Sequence, residues 1–163
     1  MNEHKQTLNT NLTATLEIKP GKGLSNLTFG ASMKDALKLF GKPDDTELLD
    51  EIENCCAVVW HYWEDGIALF FDENDQQRFN SVEIDNTDTL LWGHPIFTYT
   101  EKKIIELFKS NGILLYETEL QEWCEKRLSF DNENIDFYFE KNKLTSVNYG
   151  KITPNSSILI LSN

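Results

Sequence analysis

The chain says nearly the same thing twice. Residues 66–74 read GIALFFDEN, and residues 134–142 read NIDFYFEKN. Setting residue n against residue n + 68 holds without a gap from about Leu27 to Asn74: Phe29 meets Phe97, Phe40 meets Phe108, Cys56 meets Cys124, Ile67 meets Ile135 and Phe71 meets Phe139. After Asn74 the first copy carries three extra residues, so the offset becomes 65 and RFNSVEI lies over KLTSVNY, with Ser81 on Ser146 and Val82 on Val147. The insertion falls in a turn, where extra residues are tolerated. A repeat of this length calls for one supersecondary unit used in tandem.

Each copy opens on a helix. Ser32 stands at an N-cap with Asp35 three residues on, and Met33, Ala36, Leu37 and Phe40 follow at the spacing of one helical face. Gly41 and Pro43 end that helix, glycine by allowing a left-handed cap and proline by being unable to continue the ladder. In the second copy Thr100 takes the cap, Glu101 sits in the first turn where the helix dipole favours an acid, and Ile104, Ile105 and Phe108 form the face. Asn111 and Gly112 close it.

Strands follow each helix. Alternation and turn residues predict strands at 57–63, 67–71 and 79–84 in the first copy, and at 125–130, 135–139 and 144–149 in the second. Residues 44–54 add either a short helix or a strand. Period two places Ile67, Leu69 and Phe71 on one face, matched by Ile135, Phe137 and Phe139, and that face should meet the helix. Short turns between successive strands favour an antiparallel meander. The expected class is α+β: two tandem repeats, each a short helix (or helix pair) packed on a three- to four-stranded antiparallel meander. The repeats run over 24–84 and 94–150, with 1–20 and 151–163 as flanking segments that are either an extra strand or mobile.

At LTFGASMKDALKLFGKPDD, residues 27–45, a glycine, a hydroxyl cap, a short amphipathic helix and Gly-x-Pro-Asp resemble the repeat unit of the SmpA/OmlA lipoproteins, and VVWHYWEDGIALFFDEND extends the likeness. The helix-plus-sheet unit used twice is similar to the architecture of the β-lactamase inhibitor protein. That resemblance implies two sheets combined into one concave surface that grips another protein. It covers residues 24–84 well and 94–150 more weakly, because FKSNGI replaces the Gly-x-Pro-Asp element.

The balance of charge narrows the partners. With 27 acidic against 15 basic residues and a formal net charge of -12, the chain is a poor match for a phosphate backbone, so no nucleic acid is expected and a basic protein fits better. No run approaches the length of a membrane span and the opening residues carry no apolar signal core, so the expectation is a cytoplasmic protein with no membrane partner. Three cysteines, Cys55, Cys56 and Cys124, lack metal-ligand spacing and suit a reducing compartment as buried thiols. His4, His61 and His94 have no ligand spacing, and DENDQQ at 72–77 lacks the glycine and distal glutamate of a calcium loop. No metal or other cofactor is expected.

Candidate binding residues come from the sheet face turned away from the helices. Phe70 points there with Asp136 and Tyr138 from the second copy, and His61 and Trp63 share one face of their strand, opposite Trp60 and Tyr62. Aromatic rings beside acids on such a face mark a recognition surface, because rigid rings bury much area at low entropy cost. The competing assignment makes these rings a second core layer. Trp92, between the copies, could pin the two halves together. Catalysis would need Cys56 or Cys124 within reach of His61. The expected function is an inhibitor or immunity-type protein, not an enzyme, that captures a basic protein on its sheet face. The alternatives are an assembly module of SmpA/OmlA type and small-ligand binding between the repeats.

Overall fold

The structure, a computed structural model, describes residues 15–52 and 55–153 of the chain. The expectations for residues 1–14 and for the SSILILSN tail lie outside the described residues.

Three short strands come first: β1 (Glu17–Lys19), β2 (Gly23–Leu24) and β3 (Leu27–Thr28). Helix α1 (Met33–Phe40) follows, and then β4 (Asp45–Ile52), β5 (Cys55–Tyr62), β6 (Ile67–Asp72) and β7 (Arg78–Ile84). A second short hairpin, β8 (Leu90–Leu91) and β9 (His94–Pro95), leads to α2 (Glu101–Ser110) and to β10 (Glu117–Leu120), β11 (Glu125–Phe130), β12 (Ile135–Glu140) and β13 (Lys143–Gly150). The protein is therefore α+β and mostly strand, with two helices and two sheets among the described residues.

The larger sheet has eight strands in the order β10-β11-β12-β13-β7-β6-β5-β4, and every neighbouring pair in it is antiparallel. Its two four-stranded runs join at the centre, where Val147, Asn148, Tyr149 and Gly150 of β13 face Ile84, Glu83, Val82 and Ser81 of β7. The smaller sheet runs β3-β2-β1-β8-β9, so β1 is flanked by the two short hairpins, one antiparallel to it and one parallel. Sequence periodicity could not reveal this sheet, because strands of two or three residues are too short to show a period.

Both helices begin as their caps dictate. Ser32 accepts from the Asp35 amide while Asp35 accepts from the Ser32 amide, a complete capping box, and Thr100 accepts from the Lys103 amide. The chain leaves α1 through Gly41 at φ 78°, a conformation that costs glycine little. Within α1 the inward residues are Ala36, buried, and Met33, Leu39 and Phe40, partly buried. Leu37 departs from the expected face and stands 43% exposed.

One core lies on one side of the large sheet. Ile67, Leu69 and Phe71 of β6 and Ile135, Phe137 and Phe139 of β12 are buried in it, as the period-two pattern predicts. Over the second half Phe108 of α2 stacks on Phe130 at 3.9 Å and meets Phe137 edge-on at 5.6 Å, while Trp92 covers its other side at 4.9 Å. Trp92 thus packs onto α2. Over the first half Phe40 of α1 lies 6.0 Å from Tyr62, whose hydroxyl donates to the Gly41 carbonyl at 2.9 Å. The small sheet covers the middle: Phe29 packs between Phe79 and Tyr149, and Tyr149 donates to the carbonyl of Gly23.

Residues 45–52, left open between helix and strand, form the edge strand β4, so each helix is followed by a four-stranded meander. The DENDQQ segment is a hairpin turn: a short 3-10 helix, Glu73–Asp75, capped by Asp72 and followed by Gln76 and Gln77 at positive φ. The matching turn of the second half needs only Lys141 and Asn142, both at positive φ, the two-residue connection that suits the twist of a hairpin.

Candidate functional site

The face of the large sheet opposite the core carries the side chains singled out from the sequence. A cross-strand row crosses all eight strands: Glu117, Ser129, Asp136 and Asn148 from one half, then Glu83, Ala68, His61 and Asp45 from the other. Eight strands about 4.8 Å apart make this row roughly 34 Å long. Glutamate or aspartate therefore appears at intervals along it, with the apolar side chains of Phe70 and Val59 in the next row.

His61, Trp63, Phe70, Asp136 and Tyr138 all belong to this surface. Strand β5 alternates as expected, sending Trp60 and Tyr62 into the core and His61 to the open side. Trp63 lies just past the end of β5, where its amide donates to the Asp44 carboxylate at 2.8 Å. The residue is 62% exposed, and its ring stacks on the His61 imidazole with centroids 4.4 Å apart and planes 13° from parallel. Nε2 of His61 pairs with Glu47 at 3.0 Å from the neighbouring strand β4. The tryptophan is thus exposed yet held, which lowers the entropy lost when something binds it.

Asp136 and Tyr138 sit on β12 in the other half. Arg127, on the neighbouring strand β11, links β10 to β12: its guanidinium bonds Glu119 at 2.7 Å and lies 3.9 Å from Asp136. Partial burial resists the arginine's charge, but Asp136 and Glu119 outweigh it and hold its pKa above the ordinary value. Burial, then Asp136, pushes the Tyr138 phenol up, so it stays a neutral donor. Glu83, at the centre of the row, is also pushed up, by burial first and then by Asp85, with His61 partly offsetting them. An acid so placed lacks sufficient cationic company.

Depressions mark the face among the described residues. One of about 520 Å³ lies along the central seam, lined mainly by polar groups including Ser81, Glu83, Asn134, Asp136 and Asn148. Another, of about 140 Å³, lies between the His61–Trp63 pair and Glu83 and Asp85. Sequence periodicity placed Phe70 and Tyr138 on this face, but the joining of β7 to β13 that brings them onto one sheet depends on tertiary pairing.

The cysteines differ from expectation. Cys56 is half-buried in β5 and, being five residues from His61, leaves the strand on the opposite face. Cys124 is exposed at φ 63°, at the end of the 3-10 turn Glu122–Cys124, so burial does not explain it. Neither forms a nucleophile–base pair with His61. Among the described residues no group of three or more His, Cys, Asp or Glu side chains is arranged to hold a metal, and no helix is long and apolar enough to cross a membrane.

An exposed apolar patch escaped the sequence reading. Leu114, Leu115 and Leu120 stand exposed around the edge strand β10, with Tyr116 between them partly leaning on Phe130. Of their sequence, ILLYETEL, only the last four residues form the edge strand β10, while Leu114 and Leu115 lie in the irregular segment before it.

No family model matches the chain, and no curated protein matches it. Among solved structures, the crystal structure of a DUF4309 family protein, YjgB from Bacillus subtilis, is similar at 14% identity over 91% of this chain and 95% of that one, with a TM-score of 0.48.

Proposed function

We propose that this chain is a non-catalytic binding protein of inhibitor or immunity type, acting in the cytoplasm, that captures a basic protein on the open face of its large sheet. The observation that carries the proposal is Trp63: an exposed ring held by His61 at one end of a face whose row is punctuated by Glu117, Asp136, Glu83 and Asp45. Acidic charge speeds encounter with a cationic surface, and rigid aromatic anchors slow release. The net charge of -12 acts in the same direction.

The breadth of the face belongs to the same proposal. We infer that the chain is a duplicated unit of helix and four-stranded meander, with 24–84 and 94–150 as its two copies. Supporting this, the strand pair β6–β7 shifts register between Phe70 and Phe71, and β12–β13 shifts between Tyr138 and Phe139, at the offset of 68 found in the sequence. The hairpins β2–β3 and β8–β9 each turn through a positive-φ residue directly after the first strand, Ser25 and Trp92, which stand 67 positions apart. Duplication doubles a small sheet into a surface that can supply the ~800 Å² per partner of a stable complex.

A second reading, an assembly module, is favoured by the leucines around β10, since an unpaired edge can accept a strand from another chain. Capture from native extract separates the two. Wild type is compared with Trp63→Ala, Phe70→Ala and with Leu114→Ser, Leu115→Ser, each checked for folding by circular dichroism. A basic protein retained by wild type and the leucine variant, released by the aromatic variant and by added salt, is the expected result. Loss with the leucine variant alone favours the assembly module. Identical retention by all three overturns the sheet-face site.

A further inference from the structure

The open face dips where Ala68 stands between His61 and Glu83 in the cross-strand row. A methyl group there leaves room between two long neighbours, and Gly66 keeps the end of the dip open. Gly66 has φ +65°, and a Cβ on it would lie 2.6 Å from Oδ1 of Asp85 and 2.9 Å from the Asn86 amide. The result is the cavity of about 140 Å³.

Its two walls differ in chemistry. One is flat and aromatic, the stacked rings of His61 and Trp63, fixed by the Glu47 contact and by the Trp63 amide bond to Asp44. The other is anionic: Glu83, near the end of β7, and Asp85, just past it, both line the cavity. Among the described residues neither carboxylate forms an ion pair within the chain. The raised affinity of Glu83 for a proton, caused by burial and by Asp85, fits a site short of one positive charge.

We propose that this cavity is a binding site for a guanidinium group, filled by an arginine side chain of the protein partner. The planar cation lies against the Trp63–His61 wall and forks its N–H donors to Glu83 and Asp85. Arginine suits the site better than lysine, because an ammonium cannot stack flat on a ring or serve two carboxylates in one plane. The inference rests on the sheet-face function and names the partner group that would anchor there.

The test needs no partner. Nα-acetyl-arginine methylamide is titrated into isotopically labelled full-length protein, reading the Trp63 indole N–H signal, assigned by its loss in Trp63→Phe. The lysine and citrulline methylamides serve as comparisons. The expected result is a saturable shift with arginine, roughly tenfold weaker binding with lysine, and none with the uncharged citrulline. Glu83→Gln, Asp85→Asn, with its remaining spectrum unchanged, should weaken the arginine probe at least about tenfold. No saturable shift, an equal response to citrulline, or a double variant that titrates as wild type overturns the proposal. Such a failure, with capture of a protein still dependent on Trp63 and Phe70, removes the arginine site and leaves the sheet face standing. Capture that is indifferent to Trp63 and Phe70 removes the face whatever the titration shows.

Discussion

The phenolic hydroxyl of Tyr149 donates a hydrogen bond of 2.8 Å to the carbonyl of Gly23, 126 residues away. Tyr149 is the penultimate residue of β13, one of the two central strands of the large sheet, and Gly23 begins the β2–β3 hairpin of the small one, so this bond fastens the small sheet to the large sheet beside the seam between its halves. Burial pushes the phenol's pKa well up, and the group remains a donor over the whole working range of pH. Tyr149→Phe keeps the ring and removes the donor, leaving the Gly23 carbonyl one partner short. The expected loss is about 1–3 kcal/mol in urea-induced unfolding. A change below experimental error would show that the bond does not hold the two sheets together.

Phe108 and Phe40 occupy matching positions in the two helices but unequal surroundings. Phe108 is fully buried among Trp92, Phe130 and Phe137, whereas Phe40 is only partly buried against Tyr62. Phe108→Ala should cost about 3–5 kcal/mol, the range for emptying a full aromatic site, and Phe40→Ala clearly less. Equal losses in chemical denaturation would contradict the packing described.

These contrasts show what the sequence could reveal. The caps at Ser32 and Thr100 were legible because capping is local chemistry, and the inward face of β12 because apolar and polar or amphipathic residues alternate there; β6, an apolar run from Ile67 to Phe71, takes its facing from the match to β12. Strand β4 was ambiguous, since DTELLDEI at a sheet edge does not alternate cleanly between apolar and polar. Cys124 matches Cys56 by offset, yet a 3-10 turn precedes β11 and leaves it exposed, so equivalence in sequence did not carry equivalence in environment. At the candidate site, parity put His61 and Trp63 on one face of their strand, opposite Trp60 and Tyr62, and which face is open depended on the turn that follows. Their stacking, the Glu47 contact and the dip at Ala68 arise from side chains on three strands and have no local signature.

Asp65 gives the fold a pH dependence of defined sign. Burial raises its pKa, and Asp44 and Glu64 raise it further. A carboxyl raised in the folded state binds its proton more tightly there than in the unfolded chain. Its contribution is therefore fully present below the ordinary carboxylate pKa and is lost as pH rises through the raised value. Asp65→Asn should unfold at a higher temperature than wild type at pH 7, and the difference should shrink as the pH falls into the carboxylate range. A lower Tm for the variant at pH 7, or a gap that widens in acid, would contradict this assignment.

The most direct measurement is a calorimetric titration of the purified basic protein that the wild type retains, against wild type and Trp63→Ala, Phe70→Ala, at two salt concentrations. The expected Kd for the double variant is at least about tenfold weaker, as for loss of central aromatic anchors, and wild-type binding weakens as salt rises. A double variant that binds with wild-type affinity would place the contact elsewhere on the molecule and contradict the open-sheet account.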